Sequence, residues 1–212
     1  TDNPLVFNKE KTISGGNFHG QPLALPVDYA AMAAAELGNI SDRRIYLSLM
    51  DTIEGLPKLL MKDTGLNSGF MIPQYTTAAL VSENKSLCFP ASVDSIPTSL
   101  GQEDHVSMGS ISVRKALQIA GNLEKILGIE LFCAAQGFDF RKPLKSGQLI
   151  EACHQHVRSF IPHIDKDVFL ADFINKAIDI VKQKELTQLT SSLAEEKGLD
   201  FKNHDHELFG IY

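Results

Sequence analysis

Apolar positions recur at helical spacing along most of the chain, and almost nowhere do they alternate as a strand requires. Ile45, Leu49 and Ile53 repeat at four-residue intervals, which puts them on one helical face behind Ser41 as an N-cap. The preceding stretch from Pro26 to Leu37 holds Ala30, Ala31, Ala33, Ala34 and Ala35, all strong helix formers, and Gly38-Asn39 predicts a left-handed C-terminal cap between two helices. Pro73 suits the first turn of a third helix running through Tyr75, Ala79 and Ser82 to Leu87. Asp104 to Ala135 reads as one helix of about 48 Å at about 1.5 Å per residue. Its apolar face is predicted at Leu117, Ala120, Leu123, Leu127 and Leu131. Gly121 and Gly128 share a face of that helix, where another helix can approach closely, so they predict a packing seam. Two further amphipathic stretches, Gln148 to Phe160 and Val168 to Gln183, are separated by Pro162, and residues 184–212 read as a polar tail. No alternating run is long enough for a sheet and no internal repeat is present. The expected class is all-α, an elongated helical bundle.

Two segments escape this pattern. Residues 1–25 are rich in Gly, Asn and Pro and read as a folded loop, too irregular for helix or strand. From Phe89 to Glu103 the chain is punctuated by Pro90, Pro97 and Gly101, and so long a structureless connection in a compact domain is usually functional. Chemistry is expected in these two places.

Composition narrows the class. With 212 residues, 43% hydrophobic and 22% charged, the chain has the balance of a soluble globular protein, one large domain or two small ones, and not of a disordered or collagen-like one. A net charge of -6 without a Lys/Arg cluster argues against a nucleic-acid groove. The longest apolar run, Ile126 to Ala135, is interrupted by Gly128 and Glu130, so no membrane span is expected. Thr1 to Pro4 show no secretory signal, and Cys88, Cys133 and Cys153 are too irregular for a disulfide framework. The expected compartment is a reducing cytoplasm.

Several candidate sites fail on chemistry. Cys153, His154 and His156 lack local partners for a tetrahedral metal, and His204-Asp205-His206-Glu207 lies in a polar stretch with nothing to fix its geometry. Ser14-Gly15-Gly16 has no following Lys and no preceding strand, so no nucleotide is expected, and no Gly-x-Ser-x-Gly elbow occurs. Gln102-Glu103-Asp104-His105 differs, gathering polar side chains where the long loop enters the longest helix. Asp104 has a structural reading as a cap favoured by the helix dipole. Glu103 has no such local duty, which leaves it either solvated or available for acid-base work or for binding a cation.

These segments together resemble the histidine ammonia-lyases, within the aromatic amino acid lyase family, in their C-terminal half. The words that carry the resemblance are Asp2-Asn3-Pro4-Leu5-Val6-Phe7, Ser14-Gly15-Gly16-Asn17-Phe18-His19, Asn67-Ser68-Gly69-Phe70-Met71-Ile72, Ser82-Glu83-Asn84-Lys85, Ser92-Val93-Asp94-Ser95 and Gln102-Glu103-Asp104-His105-Val106-Ser107-Met108, in the family's order across residues 1 to about 145. The resemblance implies a helical fold of the fumarase/aspartase-like type and a homotetramer. It also implies elimination of ammonia from L-histidine to give trans-urocanate, in histidine degradation. The family's electrophile is a methylidene-imidazolone made by cyclising an Ala-Ser-Gly tripeptide. Here the Ser-Gly pairs follow Ile13, Asn67 and Lys145, and Ala91-Ser92 is followed by Val93, so this sequence does not encode it.

On the matching words, Glu103 corresponds to the family's active-site glutamate and is the implied catalytic residue. Phe18 matches an aromatic residue beside the electrophile and the substrate ring, Asn3 an asparagine near the substrate carboxylate, and Met71 a wall of the imidazole pocket. The resemblance implies that the chain works only with the N-terminal half of the enzyme, without metal or nucleotide. The rivals are a tyrosine or phenylalanine ammonia-lyase or aminomutase of the same family, and a non-catalytic helical oligomerisation module.

Overall fold

The computed structural model describes residues 2–198. Those residues fold into two compact units, one of residues 2–40 and 78–123, the other of residues 41–77 and 124–198. Among them are six α-helices: α1 (Gln21–Ser48), α2 (Met71–Leu87), α3 (Gly109–Phe140), α4 (Gln148–Arg158), α5 (Ala171–Lys182) and α6 (Glu185–Glu196). The class is all-α, as the apolar spacing predicted. The opening segment departs from the loop expectation in one detail, a two-residue antiparallel ladder of β1 (Leu5–Val6) on β2 (Thr12–Ile13). Asn8 Oδ1 closes its turn by accepting the N–H groups of Glu10 and Lys11 at 2.9 and 2.7 Å.

In the first unit, Ala31, Ala35 and Ile119 form the buried cluster, with Leu87, Cys88 and Ala116 packed around it. The small alanines let α1 approach its neighbours closely. Asp28 is buried beside them and accepts hydrogen bonds from Ser92 N (2.8 Å) and Ser112 Oγ (3.0 Å). Burial alone would raise its pKa, but those bonds and the Lys115 charge outweigh it and hold the carboxyl below its usual range. Asp28 thereby ties α1 to the start of α3 and to the long loop that contains Ser92.

The second unit has the larger apolar core, including Ile45, Leu49, Leu60, Phe70, Ile129, Phe132, Ile161 and Ile180. Phe70 and Phe132 meet at 4.7 Å between ring centroids, tilted at 52°. Gly69 is needed here: its φ is +56°, and a Cβ would stand 2.6 Å from the Leu59 carbonyl oxygen.

Several boundaries differ from expectation. The two helices predicted on either side of Gly38-Asn39 are one, α1, because neither residue takes the left-handed conformation a C-cap requires. Ser41 does not cap a helix start; its hydroxyl donates to Glu130. Helix α3 begins at Gly109 rather than Asp104, so Asp104 has no capping role. Its buried face runs through Ile119, Asn122, Ile126, Ile129, Cys133 and Gln136, while Leu117 is 73% exposed. The helix is apolar on two faces, and spacing alone cannot choose between them. The glycine seam is half realised: a Cβ on Gly128 would meet Ile178 of α5, whereas one on Gly121 would meet nothing within 4 Å. The polar tail was expected from residue 184, yet Glu185–Glu196 forms α6, with Ala194 buried. The His204-Asp205-His206-Glu207 stretch lies outside the described residues.

Candidate functional site

The first unit carries a cavity of about 320 Å³ between the end of the opening segment and the loop that leads into α3. Phe18, His19 and Gly20 line one side; Thr98, Glu103 and His105 to Ser107 line the other. Phe18 and Glu103, both singled out from the sequence, thus face one space. Both side chains are exposed, Phe18 at 50%.

Local hydrogen bonds explain how each comes to be there. Thr98 and Glu103 form a two-bond bridge, with Thr98 N donating to Glu103 O at 3.0 Å and Glu103 N to Thr98 O at 3.3 Å. The chain between them turns through Ser99, Leu100 and Gly101, whose φ angles are 53°, 56° and 89°. Left-handed Ser and Leu are unfavourable, so this tight turn stores strain. It leaves Glu103 at the base of the turn beside the cavity. On the other wall, His19 N donates to Gly16 O at 2.9 Å, and Gly20 accepts the first amides of α1 from Leu23 and Ala24 at 3.1 and 3.0 Å. A Cβ on Gly20 would sit 3.0 Å from Ser107 Oγ, so a small residue suits this approach.

The two walls are joined by His19. Its Nε2 is 2.7 Å from the His105 carbonyl oxygen, its Nδ1 accepts the Gln21 N–H at 3.1 Å, and its ring stacks on that of His105 with centroids 5.2 Å apart. Val106 N donates to Ser95 Oγ at 2.9 Å, which fixes the second wall to the long loop.

The other two residues singled out lie elsewhere. Asn3 is not in the cavity lining; its Oδ1 accepts from Ser14 Oγ (3.1 Å) and Gly15 N (3.0 Å), fastening the glycine-rich turn that precedes Phe18. Met71 opens α2 and belongs to the second unit, half-buried. Asp167 anchors that helix start by accepting Ser68 N and Gly69 N at 2.7 and 2.8 Å.

Sequence reasoning missed the largest ionic cluster among the described residues, centred on Asp139 near the end of α3. Its carboxylate meets Arg158 (2.7 Å), Lys142 (2.8 Å), His163 (2.9 Å) and His154 (3.2 Å) at the edge of a cavity of about 560 Å³. Burial alone would raise the Asp139 pKa, but hydrogen bonds from Lys142 and His163 and the Arg158 charge outweigh that and hold it at about 2. Burial is also the main influence on His154, whose pKa it pushes down against the opposing pull of Asp139. Asp139, Arg158 and His163 are 24 residues or fewer apart, but nothing in their spacing announces that they meet. The Cys153, His154, His156 set does not converge: His156 turns to Glu185 at 2.6 Å instead. Among the described residues no three His, Cys, Asp or Glu side chains stand where they could share a metal, and no helix is long and apolar enough to cross a membrane.

Residues 1–159 match the aromatic amino acid lyase family, and the chain belongs to that family. Among its relatives, the histidine ammonia-lyase of Natranaerobius thermophilus is 53% identical over 200 residues, covering 93% of this chain and 39% of the relative. That of Deinococcus radiodurans is 55% identical over 168 residues, covering 79% and 32%. Of solved structures, histidine ammonia-lyase from Trypanosoma cruzi superposes with a TM-score of 0.86 at 46% identity over 91% of this chain and 38% of that one. Tyrosine aminomutase from Streptomyces globisporus gives 0.84 at 36% identity over 90% and 37%. The chain therefore spans about two fifths or less of the length of the relatives it matches.

Proposed function

We propose that this chain supplies the Glu103 and Phe18 wall of a histidine ammonia-lyase active site. The observation that carries the reading is that both side chains, brought from separate segments, line one cavity and remain exposed to it. The relatives at about half identity are named histidine ammonia-lyases, which supports histidine as the substrate. The tyrosine aminomutase neighbour favours the second reading, an aminomutase acting on tyrosine.

The prosthetic group of the family fits this chain only as something supplied from outside it, since no Ala-Ser-Gly occurs in the sequence. When present, a methylidene-imidazolone provides the electrophile that makes ammonia a feasible leaving group. The residues here do the rest of the work on their side of the substrate. Glu103 accepts a charge-assisted hydrogen bond from the substrate imidazole or ammonium, worth more once the cavity is closed from water. Phe18 packs an aromatic face against the ring. Asn3 has its Oδ1 committed to Ser14 and Gly15, which leaves its Nδ2 to donate to a carboxylate. A cytoplasmic homotetramer completes the proposal.

The test is release of urocanate from histidine, followed by its absorbance, for the chain alone and for the chain completed by an N-terminal part bearing Ala-Ser-Gly. Activity on histidine only in the completed protein is expected. Loss of one charged hydrogen bond predicts a fall in kcat/KM of about 10 to 100-fold for Glu103→Gln. Turnover by the chain alone, preference for tyrosine, or an unchanged Glu103→Gln would each refute the reading.

A further inference from the structure

We infer that His19 is the positioning residue that holds Phe18 and Glu103 on one cavity, a role that rests on the lyase reading above. The hydrogen bonds define its protonation. An Nδ1 that accepts the Gln21 amide hydrogen must be bare, so the proton of a neutral ring sits on Nε2 and is donated to the His105 carbonyl. The first bond fixes the ring against the start of α1. The second crosses to the loop two residues beyond Glu103.

Other bonds fasten the same segments, Val106 N to Ser95 Oγ at 2.9 Å and Gln21 Nε2 to the Ser92 carbonyl oxygen at 2.7 Å, but it is the His19 bond that reaches His105, next to the Glu103 turn. Phe18 is half exposed and precedes the clasp by one residue, so the clasp sets where its backbone enters the cavity. Glu103 is fixed by its bridge to Thr98, but that bridge belongs to a strained surface turn whose Leu100 is fully exposed. The stacked His19 and His105 rings and the single Nε2 to carbonyl bond set the spacing between the walls. The ring itself need not touch substrate.

Three variants separate this role from bulk. A Gln side chain can place its Nε2 near the imidazole Nε2 and donate to His105 O; Asn can accept from Gln21 N but cannot cross to His105; Ala does neither. In the completed enzyme, His19→Ala and His19→Asn should lower kcat/KM for histidine by about 10 to 100-fold, the scale of a displacement of about 1 Å at a reacting centre. His19→Gln should recover most of it, with all three melting alike.

In the chain itself, nitrogen NMR should show His19 with a bare Nδ1 and a protonated Nε2. His19→Ala should shift the Phe18 ring and Glu103 carboxyl resonances, and His19→Gln should restore them. A protonated Nδ1, unmoved Phe18 and Glu103 signals in His19→Ala, or equal losses in Gln and Ala would overturn the inference. A wild-type completed enzyme that ignores histidine while the NMR signature holds would overturn the lyase reading instead, and with it the catalytic consequence of the clasp.

Discussion

Replacing Gly121 and Gly128 of α3 singly with alanine should move stability in opposite directions. At Gly128 an added Cβ would stand 2.6 Å from Ile178 Cγ1 and 2.8 Å from both Ile178 Cα and N. Carbon atoms pack without repulsion at about 3.5 to 4.0 Å, so the shortfall is about 1 Å. Two of the three atoms are backbone, which cannot swing aside, so α3 and α5 must separate locally. Overpacking costs about 1 to 3 kcal/mol, and a clash with backbone that cannot swing aside falls in the upper part of that range, about 2 to 3 kcal/mol. Better helix propensity returns about 1 kcal/mol. The net loss is about 1 to 2 kcal/mol, or a fall of about 2 to 8 °C in Tm for a chain of this size. At Gly121 nothing lies within 4 Å of the added carbon, so only the propensity gain remains, and Tm should rise by about 2 to 4 °C. Thermal unfolding followed by far-ultraviolet circular dichroism reads both. Trimming Ile178 to Ala beside Gly128→Ala should recover little, because it removes the Cγ1 clash and leaves the two backbone ones. A Gly128→Ala variant as stable as the parent, or the same shift at both sites, would refute the argument.

The Asp139 cluster should appear in the acid limb of stability. Its carboxyl is held at about 2 against an ordinary 3.8, so the stability it contributes is complete above pH about 4 and disappears as pH falls through about 2. That contribution is about 2 kcal/mol. Asp139→Asn should lose it at neutral pH, along with part of the pairing of the mostly buried Arg158, for a total near 3 kcal/mol, and should show a flatter urea midpoint between pH 4 and 2; an identical acid slope in both proteins would refute this. Cys133 is buried and its thiol is pushed up, chiefly by burial, so alkylation under native conditions should label Cys88 and Cys153 first and Cys133 only on unfolding; mass spectrometry showing early Cys133 labelling would contradict it.

Helix type and approximate extent were legible because they depend on local spacing, which the sequence displays directly. Pro73, in the first turn of α2, and the Pro162 break both mark real features: α2 opens at Met71, and α4 and α5 lie on either side of residue 162. The failures are tertiary. Gly38-Asn39 has the chemistry of a cap, but α1 continues through it, and Ser41 finds a partner in Glu130, 89 residues away. The choice between two apolar faces of α3 was made by Ile129, Phe132 and Cys133 packing with Phe70, Ile161 and Ile180, none of it near in sequence. The Asp139 cluster was invisible for the same reason. Helix α6 was overlooked because its residues are mostly polar and only Ala194 is fully buried.

The candidate site was more legible than the packing around it because it is assembled from short words that organise their own backbone. Asn3 ties Ser14 and Gly15, Gly16 accepts from His19, and Thr98 pairs with Glu103 across four intervening residues. In each case the residue type and the short separation are themselves the instruction. What no word contains is the distance between one word and the next, and there a single ring crosses from Gln21 to His105. Phe18 and Glu103 are legible in the sequence as candidates for one site, while His19, the residue that joins their segments, closes a matching word with no signal of its own. A side chain that joins two locally determined segments leaves no periodicity and no motif of its own. It becomes visible only when both of its hydrogen bonds are traced, which is why the two candidate residues were legible and the clasp between them was not.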